Sequence, residues 1–339
     1  FIKSLHTDSA IHSVGETLMH TGHGRPGFPS LGSWVTYGLG SKSSTLPPYV
    51  VMKDGISTAG DIVFQQGMLP GRHRASVAAA ERGKSPFPYL SPDPSINKED
   101  QYDQLKKLQQ LNRAHQKKHI GQPELTSRIE SFEMAYELQN SAKAAFDLNR
   151  ESKSIHKLYG ENLFSRQCLT ARRLIESGVR FVEILDGAEG RKWDAHGNRG
   201  GLVDNHRNNA ARTDQGIAAL ITDLKSRGML DETLIVWATE FGRTPFEEER
   251  KEKSVLGRGH HHKGFTLWMA GGGVKGGLSY GQTDELGMYA IKDPVSFHDF
   301  HATILHLVGL NHEQLTFRHN SRDVRLTDVF GNVIHDIIA

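Results

Sequence analysis

Apolar positions along this chain repeat with two different periods, and the changes between them mark out its elements. Phe1-Ile2-Lys3-Ser4-Leu5 reads as the end of a strand. Residues 1–75 then mix short apolar runs with Gly and Pro, as in GHGRPGFPSLGSWVTYGLGS and LPPYVVM, which predicts strands and loops rather than long helices. From about Lys98 to Arg150 the texture turns polar, and Leu105, Leu108 and Leu111, then Ile129, Phe132, Met134 and Leu138, recur near helical spacing. That block, taken as 98–160, predicts a helical insertion lying over the sheet. Helix and strand then alternate. Asn162 to Ser177 is helical with Gly178 as its stop, and Val179 to Leu185 is a strand. Asn208 to Arg227 is helical, Leu234 to Ala238 is a short buried strand, Phe265 to Ala270 is another, and Pro294 to Val308 is a helix. Such alternation predicts one α/β domain over 1–339, with a mainly parallel sheet and helices on both faces.

Composition adds limits. With 37% hydrophobic residues the chain can build a substantial core, and a net charge of +2 gives no argument for nucleic acid or a membrane surface. No apolar run is long enough to span a bilayer. Cys168 is the single cysteine, so a disulfide within the chain and thiolate zinc sites are excluded. Opening in mid-strand without Met suggests that an N-terminal piece, with any export signal, precedes Phe1.

The 19 histidines change the picture, because several sit beside carboxylates. Trp193-Asp194-Ala195-His196-Gly197-Asn198 follows the strand ending at Leu185, where open α/β sheets place ligand-binding groups. Asp194 and His196 could turn an oxygen and a nitrogen to one cation; a turn with Asp194 capping amides is the plainer alternative. Glu240 in ATEFGRTP emerges from the strand 234–238, where either a metal or Arg243 would offset its charge. Gly259-His260-His261-His262 precedes the strand 265–270. Its histidines reach the same sheet edge if that strand runs antiparallel or if the loop crosses the sheet edge. In His298-Asp299-Phe300-His301, capping by Asp299 outweighs ligation. His12 and Ser13 open a helix that ends at Thr21-Gly22, and His12 could be a base, a ligand or a nucleophile.

Taken in order, WDAHGN, ATEFGRTP, the histidine loop and AGGGVKGG resemble one family, as do CLTARRLIESGVRFVEI, FHDFHATILHLVGL and RHNSRDVRLTDVFG. The chain resembles the bacterial proteins of the domain of unknown function fifteen-oh-one, often labelled sulfatase-like and placed in the alkaline phosphatase superfamily. The resemblance implies an alkaline-phosphatase-like fold whose first strand lies before Phe1. It implies a divalent metal (zinc, manganese or calcium) held by Asp194, His196, Glu240 and His260 or His261. Glu240 stands where an aspartate is usual, and Phe241 replaces a histidine. Counting back from Thr21-Gly22 puts His12 at the nucleophile position with Ser13 beside it, so a formylglycine mechanism is not supported.

The expected activity is metal-dependent hydrolysis of phosphate or sulfate esters, with His12 or Ser13 attacking or relaying a proton and Arg243 or Arg258 steadying the anion. The expected partner is a small anionic ester, a sulfated or phosphorylated glycan among them, in a periplasmic or extracellular setting. A superfamily member that has lost catalysis and serves as an extracytoplasmic binding or structural protein is the alternative.

Overall fold

The computed structural model describes residues 1–55, 57–78, 87, 95–119, 123–187, 193–197, 201–248 and 256–339. The first part of the chain forms β1 (Ile2–Leu5), α1 (His12–Thr21), α2 (Leu31–Leu39), β2 (Tyr49–Lys53) and β3 (Ser76–Ala78). Four helices follow: α3 (Lys98–Lys118), α4 (Pro123–Phe146), α5 (Lys153–Tyr159) and α6 (Leu163–Glu176). Next come β4 (Phe181–Leu185), α7 (Gly201–Ser226), β5 (Ile235–Trp237), β6 (Gly242–Glu247), β7 (Arg258–His261) and β8 (Phe265–Ala270). The chain finishes with β9 (Gln282–Thr283), β10 (Ala290–Lys292), α8 (Phe297–Leu307), β11 (Phe317–His319) and β12 (Arg322–Val324). The protein is therefore mixed α/β.

Two three-stranded sheets organise it. In the first, β2 lies between β3 and β4 and is parallel to both. Tyr49, Val50, Val51 and Met52 are all fully buried, and the period of two divides them between the faces. Val50 and Met52 join Leu138 and Ala145 of α4 and Ala171 and Leu174 of α6, whereas Tyr49 and Val51 pack with Val63, Phe64 and Ala75. A strand buried on both sides reads as an unbroken apolar run, which is what YVVM is.

The second sheet has the order β1-β8-β5, and β8 is antiparallel to both neighbours. This meets the condition set by the histidine loop, because the start of a reversed strand lies at the same edge as the end of β5. The expectation of a mainly parallel sheet needs correction. Among the described residues, parallel pairing between named strands is confined to β3-β2-β4, while β1–β8, β5–β8, β6–β7, β9–β10 and β11–β12 are antiparallel. The reason is local: β6 and β7 form a hairpin, and β8 follows it too closely for a crossover helix.

The helices of the predicted insertion are unequal. α4 contributes Met134, Leu138, Ala145 and Phe146 to the core over β2. Among its described residues α3 buries none, and it rests on α4 through polar bonds, Gln109 to Glu133 (3.0 Å) and Gln116 to Thr126 (3.2 Å). No helix among the described residues is long and apolar enough to cross a membrane.

One buried charge network clamps α5, α6 and α7. Arg172, 1% exposed, reaches Glu151 (2.8 Å), Glu176 (2.8 Å) and Asp223 (2.9 Å), and Tyr159 donates to Asp223 (3.1 Å). Removing one member leaves the others desolvated without compensation. Arg172→Leu is therefore expected to lose about 3–5 kcal/mol of unfolding free energy in urea titrations. A loss below about 1 kcal/mol would show that the carboxylates find other partners.

Candidate metal centre

Four segments far apart in sequence meet at one point. His12 is the first residue of α1, and Gly15 lets that helix approach closely, since a Cβ there would lie 3.2 Å from both Glu240 Cβ and the Phe241 ring. Asp194 and His196 sit in the loop after β4. That loop is anchored by Trp193, whose indole donates to Asp186 (2.9 Å), itself paired with Arg212 of α7. Arg243 and His260 are cross-strand partners in the β6–β7 hairpin, so their side chains share a face. Gly257 brings the hairpin against the other loop: a Cβ there would stand 1.8 Å from the Gly197 nitrogen. The Arg258 amide closes the junction on the Ala195 carbonyl (3.0 Å). Asn198, last residue of the WDAHGN motif, lies outside the described residues.

The hydrogen bonds fix the state of each ring. His12 Nδ1 lies 2.6 Å from Glu240 Oε1, His196 Nδ1 lies 2.6 Å from Glu248 Oε2, and His260 Nδ1 lies 2.8 Å from the Ala10 carbonyl. Carboxylates and carbonyls only accept, so all three rings carry their proton on Nδ1. In its neutral form each ring then turns an Nε2 lone pair away from that bond. These three nitrogens face Asp194: His196 at 2.8 Å and His260 at 3.2 Å from Oδ1, and His12 at 3.4 Å from Oδ2. The Nε2 atoms of His196 and His260 are only 2.9 Å apart. Lone pairs and an anionic oxygen at such distances repel unless a cation or proton lies among them.

Electrostatics keep these groups in the required forms. Burial pushes the His260 pKa down to about 4; the bond to the Ala10 carbonyl opposes this, and the Arg243 charge adds to it. The ring is thus neutral at pH 7. Burial alone would raise the Glu240 pKa, but the bonds from His12, its own backbone amide and Thr239 outweigh it, so the carboxylate stays ionised.

The ligand atoms of His12, Asp194 and His260 all lie within 4.8 Å of one another, close enough to share a metal ion. Of the residues singled out from sequence, Asp194, His196, His260, His12 and Arg243 converge. Glu240 stands one step out, bonded to His12 and Thr239 (2.9 Å). His261 faces away: it alternates with His260 along β7, and its Nε2 bonds the Met288 carbonyl. Arg258 enters through its backbone, its carbonyl accepting from Arg243 (3.1 Å), while the residue itself is exposed. Ser13 is recorded only through its carbonyl, which accepts from Thr17. Asp299 caps α8 in a reciprocal box with Ser296. Sequence reasoning missed Glu248 and the Ala10 carbonyl. The first lies in an acidic run that reads as solvated surface, and the second leaves no mark in a sequence.

Residues 1–338 match a family described as "Protein of unknown function (DUF1501)". The chain belongs to that family. Among curated proteins none matches it. Membership in DUF1501 carries no activity with it, so the chemistry must be argued from the cluster.

Below the cluster, α1 is fastened to the parallel sheet by a second pair, His20 Nε2 to Glu183 Oε1 (2.6 Å), with Tyr49 donating to Glu183 (2.7 Å). Burial lowers the His20 pKa, but the charge and bond of Glu183 and the Glu16 carbonyl outweigh it and hold the value above 6.5. Glu183, which burial would raise, is held below 4.5 by the charge and bond of His20. The His20 contribution to stability is complete below its unfolded value of about 6.5 and is lost as pH rises through the raised folded value. That of Glu183 is present above about 4.5 and lost as pH falls through its lowered one. The pair therefore stabilises most between about pH 4.5 and 6.5. The stability gap between the wild type and His20→Gln should be widest in that window and shrink towards about pH 9 in urea titrations. A gap that stays level from about pH 6 to 9 would contradict the assignment.

Proposed function

We propose that this protein is a metal-dependent hydrolase of phosphate or sulfate esters, as the sulfatase-like resemblance to alkaline phosphatases implies. One observation carries the reading: three imidazoles whose Nδ1 atoms are committed elsewhere turn their Nε2 atoms towards one carboxylate. His12, Asp194 and His260 would hold the ion, three protein ligands leaving a position open as catalytic sites do. Among the expected metals, the imidazole-rich set favours zinc or manganese over calcium, which takes oxygen donors.

Bound there, a divalent cation neutralises charge on the transferring group and acidifies a ligated water. The remaining work falls to the chain itself. Glu240 and the Ala10 carbonyl orient His12 and His260, as outer-shell acceptors do for ligating histidines. His196, oriented by Glu248, is placed to take the proton of the attacking water. As the new P–O or S–O bond forms and the ester bond breaks, it returns that proton to the leaving oxygen. Arg243 offers two donors for the anion. The substrate is a small anionic ester, with sulfated or phosphorylated glycans as candidates, in a periplasmic or extracellular setting.

One observation favours the second reading, a binding or structural protein without turnover. The position counted as the nucleophile's carries His12, whose ring is held between Glu240 and Asp194, and no serine or cysteine stands there. A panel of aryl phosphates, phosphodiesters and sulfates separates the two readings; bound metal with no turnover on any of them selects the second.

Elemental analysis after loading with zinc or manganese should find metal in the wild type and little in Asp194→Ala or His260→Ala. Glu240→Gln should weaken metal affinity by about 10–100-fold through its loss of hold on His12. Full metal content in Asp194→Ala would remove the centre and the hydrolase with it.

A further inference from the structure

The Arg243 guanidinium lies inside the cluster rather than at its edge. One terminal nitrogen, Nη2, donates to Asp194 Oδ1, the oxygen that His196 and His260 also face. The other, Nη1, lies 3.3 Å from His196 Nε2 and donates to the Arg258 carbonyl (3.1 Å). With the His196 proton held on Nδ1 by Glu248, Nε2 can only accept, so Nη1 is the donor. Arg243 therefore satisfies two of the lone pairs that converge on the centre.

From this we infer that Arg243 is a stand-in cation. It holds Asp194 and His196 in the metal-free protein, and it is displaced or pushed outward when a divalent ion binds. The inference rests on the metal reading and deepens it by adding a regulatory element to that site. A guanidinium cannot deprotonate, so its charge is present at every working pH and must move if a second cation is to approach. The hairpin allows this, because Arg243 lies at the start of β6, where the register with β7 shifts between Arg243 and Glu247. Displacement uncovers the His196 lone pair and leaves a two-donor fork beside the ion. Loading would then switch on proton transfer and anion binding together, and the centre would not present a bare cluster of ligands while empty.

The test titrates zinc into chelator-stripped full-length protein by calorimetry, for the wild type, Arg243→Gln, Arg243→Lys and Asp194→Ala. Removing a unit charge about 5 Å from a divalent ion should tighten zinc binding by about tenfold even at the dielectric constant of water. Arg243→Gln is thus expected to bind more tightly than the wild type, with Arg243→Lys between them. Thermal unfolding gives a second readout. Metal-free Arg243→Gln should melt below the metal-free wild type, and zinc should narrow the difference. If Arg243→Gln fails to fold, the Lys variant carries the comparison, tighter zinc binding than the wild type supporting the inference and equal or weaker binding overturning it. Zinc affinity in Arg243→Gln equal to or weaker than wild type, with Asp194→Ala unable to bind, would overturn the stand-in role and leave the centre intact. Wild-type affinity in Asp194→Ala would overturn both.

Discussion

The arrangement around Asp194 depends on the repulsion among the acceptors gathered there. Three ring nitrogens, two of them 2.9 Å apart, and one carboxylate share a small space. Half-buried acceptors held this close call for positive charge in their midst, because water screens their repulsion incompletely. The outer acceptors make the demand specific. Glu240, Glu248 and the Ala10 carbonyl fix which nitrogen of each ring points inward, so the polarity of the cluster is set by groups that never touch its centre.

The fold meets this demand by opposed strand directions. Reversal of β8 between β1 and β5 brings the histidine loop to the edge where Glu240 emerges. The β6–β7 register then places Arg243 opposite His260. The close approaches allowed at Gly15 and Gly257 bring α1 and the Asp194 loop to the same spot. The parallel sheet contributes from a distance, holding α1 by the His20–Glu183 pair while its own core is completed by α4 and α6.

How much of this was legible in the sequence follows from the kind of signal each part leaves. Strands such as YVVM and FTLWMA and the helix ending at Gly178 announce themselves by period and punctuation. Asp194, His196 and His260 stood out as candidates because histidines beside carboxylates in loops are unusual. Strand direction was not readable, since period is the same either way; only the requirement that the histidines share an edge hinted that β8 reverses. The choice between His260 and His261 was also hidden. Adjacent residues on a strand point oppositely, and which one points inward depends on a pairing register that composition does not record. Glu248 and Ala10 act through tertiary position alone.

The centre joins α1 to the β6–β7 hairpin across a long stretch of sequence, and this has a consequence for folding. On the ribosome His12 emerges early, long before Arg243 and His260 exist, so the nascent chain cannot form the pocket by local contacts. Closing a loop over that span costs chain entropy, which the slotting of β8 between β1 and β5 must offset. Assembly of the pocket is thus a report that the tertiary fold, and not any one segment, is in place.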